Sequence, residues 1–289
     1  IDKIFHDTDT IYSLKEFKDI FDPILNEFID NKLQDFSTKT TDSFIKDFVS
    51  YSEKLISHGG KRLRPYIAYL MYKSLGGQSD KEAIRLFVSL EIFHNFCLIH
   101  DDIMDKSNTR HGVKTIHEYV TEKLIADKRK GDAVHIGNSQ AILIGDLLFS
   151  WSIEAFNRNS NFNKENIEKS QDYFYKMIDE VILGQMIDMD LTTRESVNEN
   201  LINEKINLKT ARYTFIRPMQ IGAFLADPNN KLESFCENLG LKLGLAFQTQ
   251  DDLLDITGDT LIIHKNILRD ISDRQQTFFT NYVNTFGND

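Results

Sequence analysis

Cysteine and proline are scarce in this chain, which has two cysteines and four prolines. Cys97 and Cys236 lie in apolar contexts without the spacing of a disulfide framework or a metal site. We therefore expect reduced, buried thiols in an intracellular protein. Because proline interrupts helices, its scarcity leaves long stretches of the chain able to form continuous helices.

Excess cations and long apolar runs are also lacking. The 34 lysines and arginines are outnumbered by 44 aspartates and glutamates, and the net charge of -10 argues against a nucleic-acid partner. The chain contains no run of about 20 apolar residues, which is the length that would predict a membrane span. Residues 1–7 lack the apolar core of a signal peptide. These absences predict a cytoplasmic protein in which any phosphate binding is local.

Apolar residues spaced three and four apart predict an all-α protein. No linker rich in proline, glycine or serine divides the chain, so we expect a single domain over residues 1–289. The most polar segment, 121–137, is predicted to be a solvated loop. The predicted helices span 12–30, 41–57, 63–75, 80–104, 114–127, 138–157, 164–190, 198–226 and 231–257.

An acidic pattern occurs twice, each time at the end of a predicted helix. DDIMD at 101–105 is repeated as DDLLD at 251–255. In a helix, the first and fifth carboxylates of such a pattern lie one turn apart on one face, where they repel each other unless a cation binds. Carboxylate oxygens are ligands that suit Mg²⁺. One copy alone could be a solvated helix end, but two copies favour a paired metal site.

The predicted helix at 80–104 is apolar on nearly all sides, so it should be central. Its polar members therefore need a reason to be there. They are Glu91, His94 and Asn95. A histidine that is hydrogen-bonded within the core is the ordinary interpretation of His94.

A glycine pair precedes three cations in SHGGKRLRP at 57–65. Glycines let the backbone approach an anion closely, and Lys61 and Arg64 fall on one side of the following helical turn. Cations at the start of a helix oppose the helix dipole. The segment therefore predicts a phosphate cradle rather than a plain basic surface.

Other polar residues lie near these motifs. Arg110 follows the first acidic motif, where it can bind a substrate phosphate or simply pair with Asp105. GQMID at 184–188 and KTARY at 209–213 place polar groups on apolar helices. Lys265 follows the second acidic motif and can add a cation there.

Together these motifs resemble the trans-isoprenyl diphosphate synthases, or polyprenyl synthetases. The resemblance covers most of the chain and implies an all-α helical bundle around a deep central cavity. It also implies that the two acidic helices face each other at the cavity mouth and that the protein is a homodimer. The matching sequences follow the family's order: GGKRLRP at 59–65, DDIMD at 101–105, Arg110, GDLLF at 145–149, GQMID at 184–188, KT at 209–210 and FQTQDDLLD at 247–255.

The resemblance implies a prenyltransferase that condenses isopentenyl diphosphate with dimethylallyl, geranyl or farnesyl diphosphate. Isopentenyl diphosphate would be bound by Lys61, Arg64, His94 and His111. About three Mg²⁺ would bind the allylic diphosphate, held by Asp101, Asp105, Asp251 and Asp255. The same diphosphate would be contacted by Arg110, Lys209 and Lys265. A carbocation would be stabilised by Thr210 and Gln248, while Asp102 and Asp252 complete the catalytic set.

Product length should depend on bulky residues below the first acidic motif, since one isoprene unit spans about one helical turn, roughly 5 Å. Phe96 lies five positions before Asp101 and the small Cys97 four before, with Phe93 one turn further away. In the resembling family this combination implies geranylgeranyl diphosphate, with farnesyl diphosphate as intermediate or co-product. Ordinary core packing is the alternative interpretation of Phe96.

The sequence departs from the family pattern in several places. His111 stands where the family has a second arginine, Arg274 and Gln275 stand where it has Gly-Lys, and His264 replaces the glycine before Lys265. The chain ends at Asp289, earlier than the family norm, which leaves open whether terminal helices are lacking.

Two other functions share this fold. A class I terpene cyclase would lack Lys61, Arg64 and the second acidic motif, all of which are present here. A non-catalytic regulatory subunit would have eroded metal motifs, and only His111 and Gln275 point that way.

Overall fold

In the computed structural model, the described residues are 11–57, 60–110, 112–158, 161–258 and 268–287, with only the backbone described at 269–270 and 284–285. The chain forms two compact units. Unit 1 comprises Ile1–Tyr69 and Gln78–Phe162, and unit 2 comprises Leu70–Gly77 and Asn163–Asp289. The single-domain expectation stays a prediction.

The described residues are mostly helical, which confirms the predicted all-α class. A single hairpin of β1 (Thr109–Arg110) and β2 (Val113–Lys114) is the strand structure among them. The helices are α1 (Leu14–Thr38), α2 (Ser43–Ser57), α3 (Leu63–Ser74), α4 (Asp80–Met104), α5 (Ile116–Ala126), α6 (Ala133–Asn157), α7 (Lys164–Leu191), α8 (Glu199–Ile206), a π-helix (Asn207–Ile216), α9 (Arg217–Ala226), α10 (Glu233–Thr257), α11 (Arg269–Ser272) and α12 (Phe278–Phe286).

Two predicted helix boundaries were wrong by more than a turn, and one predicted helix contains a change of helix type. Helix α1 continues to Thr38 rather than residue 30. Helix α6 begins at Ala133 because the Asp132 carboxylate accepts hydrogen bonds from the amides of Val134 (3.0 Å) and His135 (3.1 Å). Since α5 also extends to Ala126, most of the predicted loop 121–137 is helical. The predicted helix 198–226 contains the π-helix.

Unit 1 is built around α4, as its apolar composition predicted. Helix α4 packs against α6 and also contacts α1 and α2. Its side chains Leu86, Phe87, Leu90 and Phe93 are fully buried. By length and composition α4 could cross a membrane, but 72% of that apolar window is buried within the protein. That burial is typical of a core helix.

Unit 2 is built from α7, the π-helix, α9 and α10. The π-helix lies against both α7 and α10. A Cβ on Gly244 of α10 would come within 2.3 Å of the Ala211 side chain, so only glycine permits this approach. The row Gly240, Gly244, Gln248 and Asp252, spaced four residues apart, runs along one face of α10.

The two cysteines differ in burial. Cys236 is fully buried, and this burial, with the nearby Glu237 carboxylate, raises the pKa of its thiol to about 11. Cys236 is therefore buried, as predicted, and a thiol with so high a pKa is unreactive. Cys97 is only half-buried, because it lies on a side of α4 that is incompletely covered, so the prediction of burial was wrong for this residue.

Candidate active site

The first acidic motif forms the last turn of α4. The Asp105 amide donates to the Asp101 carbonyl oxygen at 2.8 Å, which closes the turn. Asp101 and Asp105 therefore lie one turn apart, as predicted, and both are half-buried. Two carboxylates at this spacing are accessible donors for a cation.

Asp102, between them, has a different environment. It is 2% exposed, and the Arg110 guanidinium donates to its carboxylate through Nη2 at 2.7 Å and Nε at 3.0 Å. Burial raises the pKa of the Asp102 carboxyl, while the Arg110 bonds act in the opposite direction. Arg110 Nη2 also lies 3.8 Å from Asp101 Oδ2. Asp102 thus holds Arg110, in β1, beside the more accessible Asp101.

A cavity of about 40 Å³ in unit 1 joins several sequence-predicted elements. The glycine-rich segment, the polar face of α4 and the hairpin arginine all reach it. Its polar and glycine lining is Gly60, Arg62, Glu91, His94, Asn95, Asp102 and Arg110. His94 is therefore a cavity residue and only half-buried, rather than an enclosed core histidine.

Arg62, which the sequence reasoning passed over, fixes the glycine-rich segment. It is 4% exposed and donates to Asp22 at 2.8 Å, to Glu91 at 2.7 Å and to the Ile56 carbonyl at 2.9 Å. Gly60 has φ +89°, and a Cβ there would lie 2.9 Å from Arg62 Nη1. The second glycine of the pair is thus needed both for its backbone conformation and for space.

The two cations that were predicted to bind a phosphate do not line the cavity of unit 1. Lys61 is exposed and Arg64 is half-buried, and neither is among the described residues that line this cavity. Their assignment to a diphosphate stays a prediction.

Phe96 belongs to an aromatic cluster between α4 and α6. Its ring centroid lies 5.1 Å from that of Phe149, in the GDLLF sequence, and 5.4 Å from that of Phe93. The His100 ring meets it edge-on at 4.7 Å. Phe93 is fully buried, whereas Phe96 is half-buried. Phe96 therefore has accessible surface, as Phe149 does, and the fully buried Phe93 packs against it.

The second acidic motif repeats the burial pattern of the first. Asp251 is exposed, Asp252 is 4% exposed and Asp255 is half-buried. The Gln248 amide donates to Asp252 Oδ1 at 2.7 Å, and the Thr210 hydroxyl donates to Gln248 Oε1 at 2.7 Å. Burial raises the pKa of the Asp252 carboxyl. In both motifs the second aspartate is the buried one.

The GQMID and KT sequences meet in unit 2. A Cβ on Gly184 would lie 2.7 Å from the Lys209 backbone nitrogen, so the two segments touch only because residue 184 is glycine. Lys209 Nζ donates to Asp188 at 2.6 Å, and Lys205 Nζ lies 3.1 Å from the same carboxylate. Burial alone would raise the pKa of Asp188, but the two lysines outweigh it and hold that pKa below its usual range.

Lys205 was not predicted as part of the site. The available signal was its position: Ile202 and Ile206 flank it on the buried face of α8, where a lysine needs a charged partner. Asp188 is that partner.

The accessible carboxylates suit a magnesium ion bound partly by substrate. Among the described residues, no group of three or more His, Cys, Asp or Glu side chains is placed to hold a metal. Mg²⁺ is commonly bound by one or two carboxylates together with water and substrate phosphates, so the paired aspartates fit it. The two acidic motifs belong to different units, and their convergence stays a prediction. Predicted site residues outside the described residues are Gly59, His111 and Lys265.

A sequence comparison decides the family, since the polyprenyl synthetase family model matches residues 46–287. The chain belongs to this family. The match confirms the resemblance predicted from the motifs and, with it, the prenyltransferase class.

Relatives and solved structures agree with the family. Geranylgeranyl diphosphate synthase from Sulfolobus acidocaldarius is 31% identical over 258 residues, covering 89% of this chain and 72% of the relative. Geranylgeranyl pyrophosphate synthase from Geoglobus acetivorans is 36% identical over 200 residues, covering 69% of this chain but only 57% of the relative.

A solved structure of geranylgeranyl pyrophosphate synthase from Corynebacterium glutamicum, in complex with isoprenyl diphosphate and magnesium, superimposes with a TM-score of 0.85. It is 31% identical and covers 92% of this chain and 75% of that one. This polyprenyl synthetase thus shares both sequence and fold with proteins of the family.

Proposed function

We propose that this protein condenses isopentenyl diphosphate head-to-tail with allylic diphosphates. The proposed product is geranylgeranyl diphosphate, with farnesyl diphosphate as intermediate or co-product. The observation that carries the proposal is the repeated motif in which a buried second aspartate is held while the first and fifth remain accessible. The names of the two relatives, both geranylgeranyl synthases, support the product.

The accessible carboxylates of Asp101, Asp105, Asp251 and Asp255 would hold the metal. About three Mg²⁺ per active site would neutralise the allylic diphosphate and favour ionisation of its C–O bond. Arg110, Lys209 and Lys265 would stabilise the departing pyrophosphate. Arg110 is prepared for this because the buried Asp102 fixes its guanidinium in place before substrate arrives.

The allylic carbocation that remains must be stabilised by oxygen dipoles and shielded from free nucleophiles. The Thr210 hydroxyl is engaged with Gln248, and the Gln248 amide is engaged with Asp252. These bonds fix the Thr210 and Gln248 oxygens, which would stabilise the cation without attacking it. The carbon–carbon bond then forms to isopentenyl diphosphate, held by Lys61, Arg64, His94 and His111. The released pyrophosphate takes the proton that is lost.

The proposal extends to the assembly. We infer a homodimer that works in the cytoplasm, in which the two acidic motifs converge on one diphosphate at the mouth of an apolar cavity. Support comes from the family assignment and from the similar burial of the two motifs.

Product analysis tests the proposed function. The purified chain is incubated with isopentenyl diphosphate, Mg²⁺ and labelled dimethylallyl, geranyl or farnesyl diphosphate, and the dephosphorylated products are separated by chromatography. We expect geranylgeraniol as the main product and farnesol as a minor one. A cyclic hydrocarbon would indicate a cyclase. No product longer than the starter, alone or with added metal, would contradict the proposal.

Replacing Phe96 by alanine should lengthen the product. The half-buried Phe96 ring is one of the accessible members of the aromatic cluster, so its removal opens space for about one more isoprene unit. We expect C25 or longer alcohols by chromatography. Phe44→Ala is the matched control, since Phe44 is a half-buried phenylalanine of the same unit on α2. Unchanged C20 product in Phe96→Ala would show that Phe96 is ordinary core packing.

A further inference from the structure

Lys205 is a buried charge outside every motif that the proposed mechanism uses. It is 8% exposed, and its ammonium lies 3.1 Å from Asp188 Oδ1. It also donates to the Gln276 carbonyl oxygen at 2.7 Å. A lysine is rarely buried without a reason, because desolvating its charge is costly.

Asp188 is shared between two lysines through different oxygens. Lys205 lies at Oδ1 and Lys209 at Oδ2, where the distance is 2.6 Å. The side chains of Lys205 and Asp188 are 10% and 7% exposed, whereas that of Lys209 is 30% exposed. Lys209 is therefore the member of this cluster that can reach a ligand.

The charge of the cluster depends on Lys205. Asp188, Lys205 and Lys209 together, one carboxylate and two ammonium groups, carry a net positive charge of one, and the Lys205 ammonium also attracts the buried Asp252 carboxyl. Without Lys205, Asp188 and Lys209 form a neutral pair, and the whole carboxylate is available to Lys209. An anion approaching Lys209 would then meet no net positive charge and would have to compete with Asp188.

We propose that Lys205 is a positioning residue that engages Asp188 and so keeps Lys209 available to the substrate diphosphate. The inference rests on the proposed function, which gives Lys209 a diphosphate to contact. The Gln276 carbonyl supports it: this neutral acceptor holds the Lys205 ammonium in place without cancelling its charge. Lys205 itself does not touch substrate.

Binding of inorganic pyrophosphate in Mg²⁺ buffer, measured by isothermal titration calorimetry, tests the proposal without requiring turnover. Lys205→Met should weaken binding about tenfold, because the cluster loses its net charge. The double variant Lys205→Met/Asp188→Asn removes the competing carboxylate as well and restores the positive charge on Lys209. Its affinity should return to within about threefold of the unchanged protein.

Two control variants and one alternative variant complete the experiment. Lys231→Met removes an exposed lysine of unit 2 and should leave the affinity unchanged. Lys205→Arg keeps the charge and should bind within about threefold of the unchanged protein. If Lys205→Met does not fold, Asp188→Asn alone decides, since it raises the cluster charge and should strengthen binding about threefold.

Two results would overturn the proposal. One is unchanged pyrophosphate affinity in Lys205→Met. The other is a double variant that binds as weakly as Lys205→Met, since this would mean that Lys205 only supports the local structure. Failure of the proposed condensation would appear separately, as absence of elongated products from the unchanged protein while pyrophosphate still binds.

Discussion

Replacing Asp101 by asparagine is expected to lower kcat about a thousandfold, because the variant loses an anionic oxygen donor for the Mg²⁺ that is proposed to stabilise the leaving group. The free energy of unfolding should change by less than about 0.5 kcal/mol, since Asp101 is partly accessible and its backbone hydrogen bond to Asp105 remains. Steady-state kinetics with allylic and isopentenyl diphosphates, together with urea unfolding, measure both quantities.

The neighbouring aspartate provides the comparison. Asp102→Asn removes the charge that pairs with Arg110 in a buried position, so it should cost about 1–3 kcal/mol of stability as well as activity. Asp127→Asn, at the exposed end of α5, should leave both unchanged. An Asp101→Asn enzyme with normal turnover would contradict the metal assignment of the first motif.

Replacing Arg62 by methionine is expected to cost about 3–5 kcal/mol of stability, because it leaves the Glu91 carboxylate buried without its cationic partner. Both side chains are less than 5% exposed, so water cannot take the place of the lost partner. The Ile56 carbonyl also loses its donor. Circular dichroism during urea unfolding measures the change.

The neighbouring lysine is the control for this experiment. Lys61→Met, at an exposed position, should change stability by less than about 0.5 kcal/mol. The double variant Arg62→Met/Glu91→Gln removes the stranded charge and should recover part of the loss. If Arg62→Met unfolds at the same urea concentration as the unchanged protein, then the buried pair does not hold the glycine-rich segment.

Much of the fold could be predicted because apolar periodicity dominates it. Helix α4 begins and ends where its sequence predicted, since an apolar helix with an acidic end has clear boundaries. Periodicity could not reveal the π-helix, because its residues differ little in pattern from those of an α-helix. The start of α6 was missed because its first turn is polar.

The site was predictable at the level of motifs but not at the level of burial. The pattern DDxxD places the first and fifth carboxylates on one face, but it does not say which side of the helix is covered. Asp102 is bonded to Arg110 from the hairpin after α4, whereas Asp252 is bonded to Gln248, one turn earlier on the same helix. Lys205 and Arg62 were missed because their partners Asp188 and Glu91 are distant in sequence.

The π-helix limits how this part of the chain can vary in length. Its wider turns are closed by bonds such as that from the Arg217 amide to the Arg212 carbonyl, five residues earlier. Deleting one residue there would favour ordinary α-helical turns of about 3.6 residues, which changes the directions of the side chains within this segment. Lys209 would then lose its contact with Asp188, and Thr210 would lose its hydrogen bond to Gln248. The number of residues in this segment therefore matters for the site as much as the identity of its side chains.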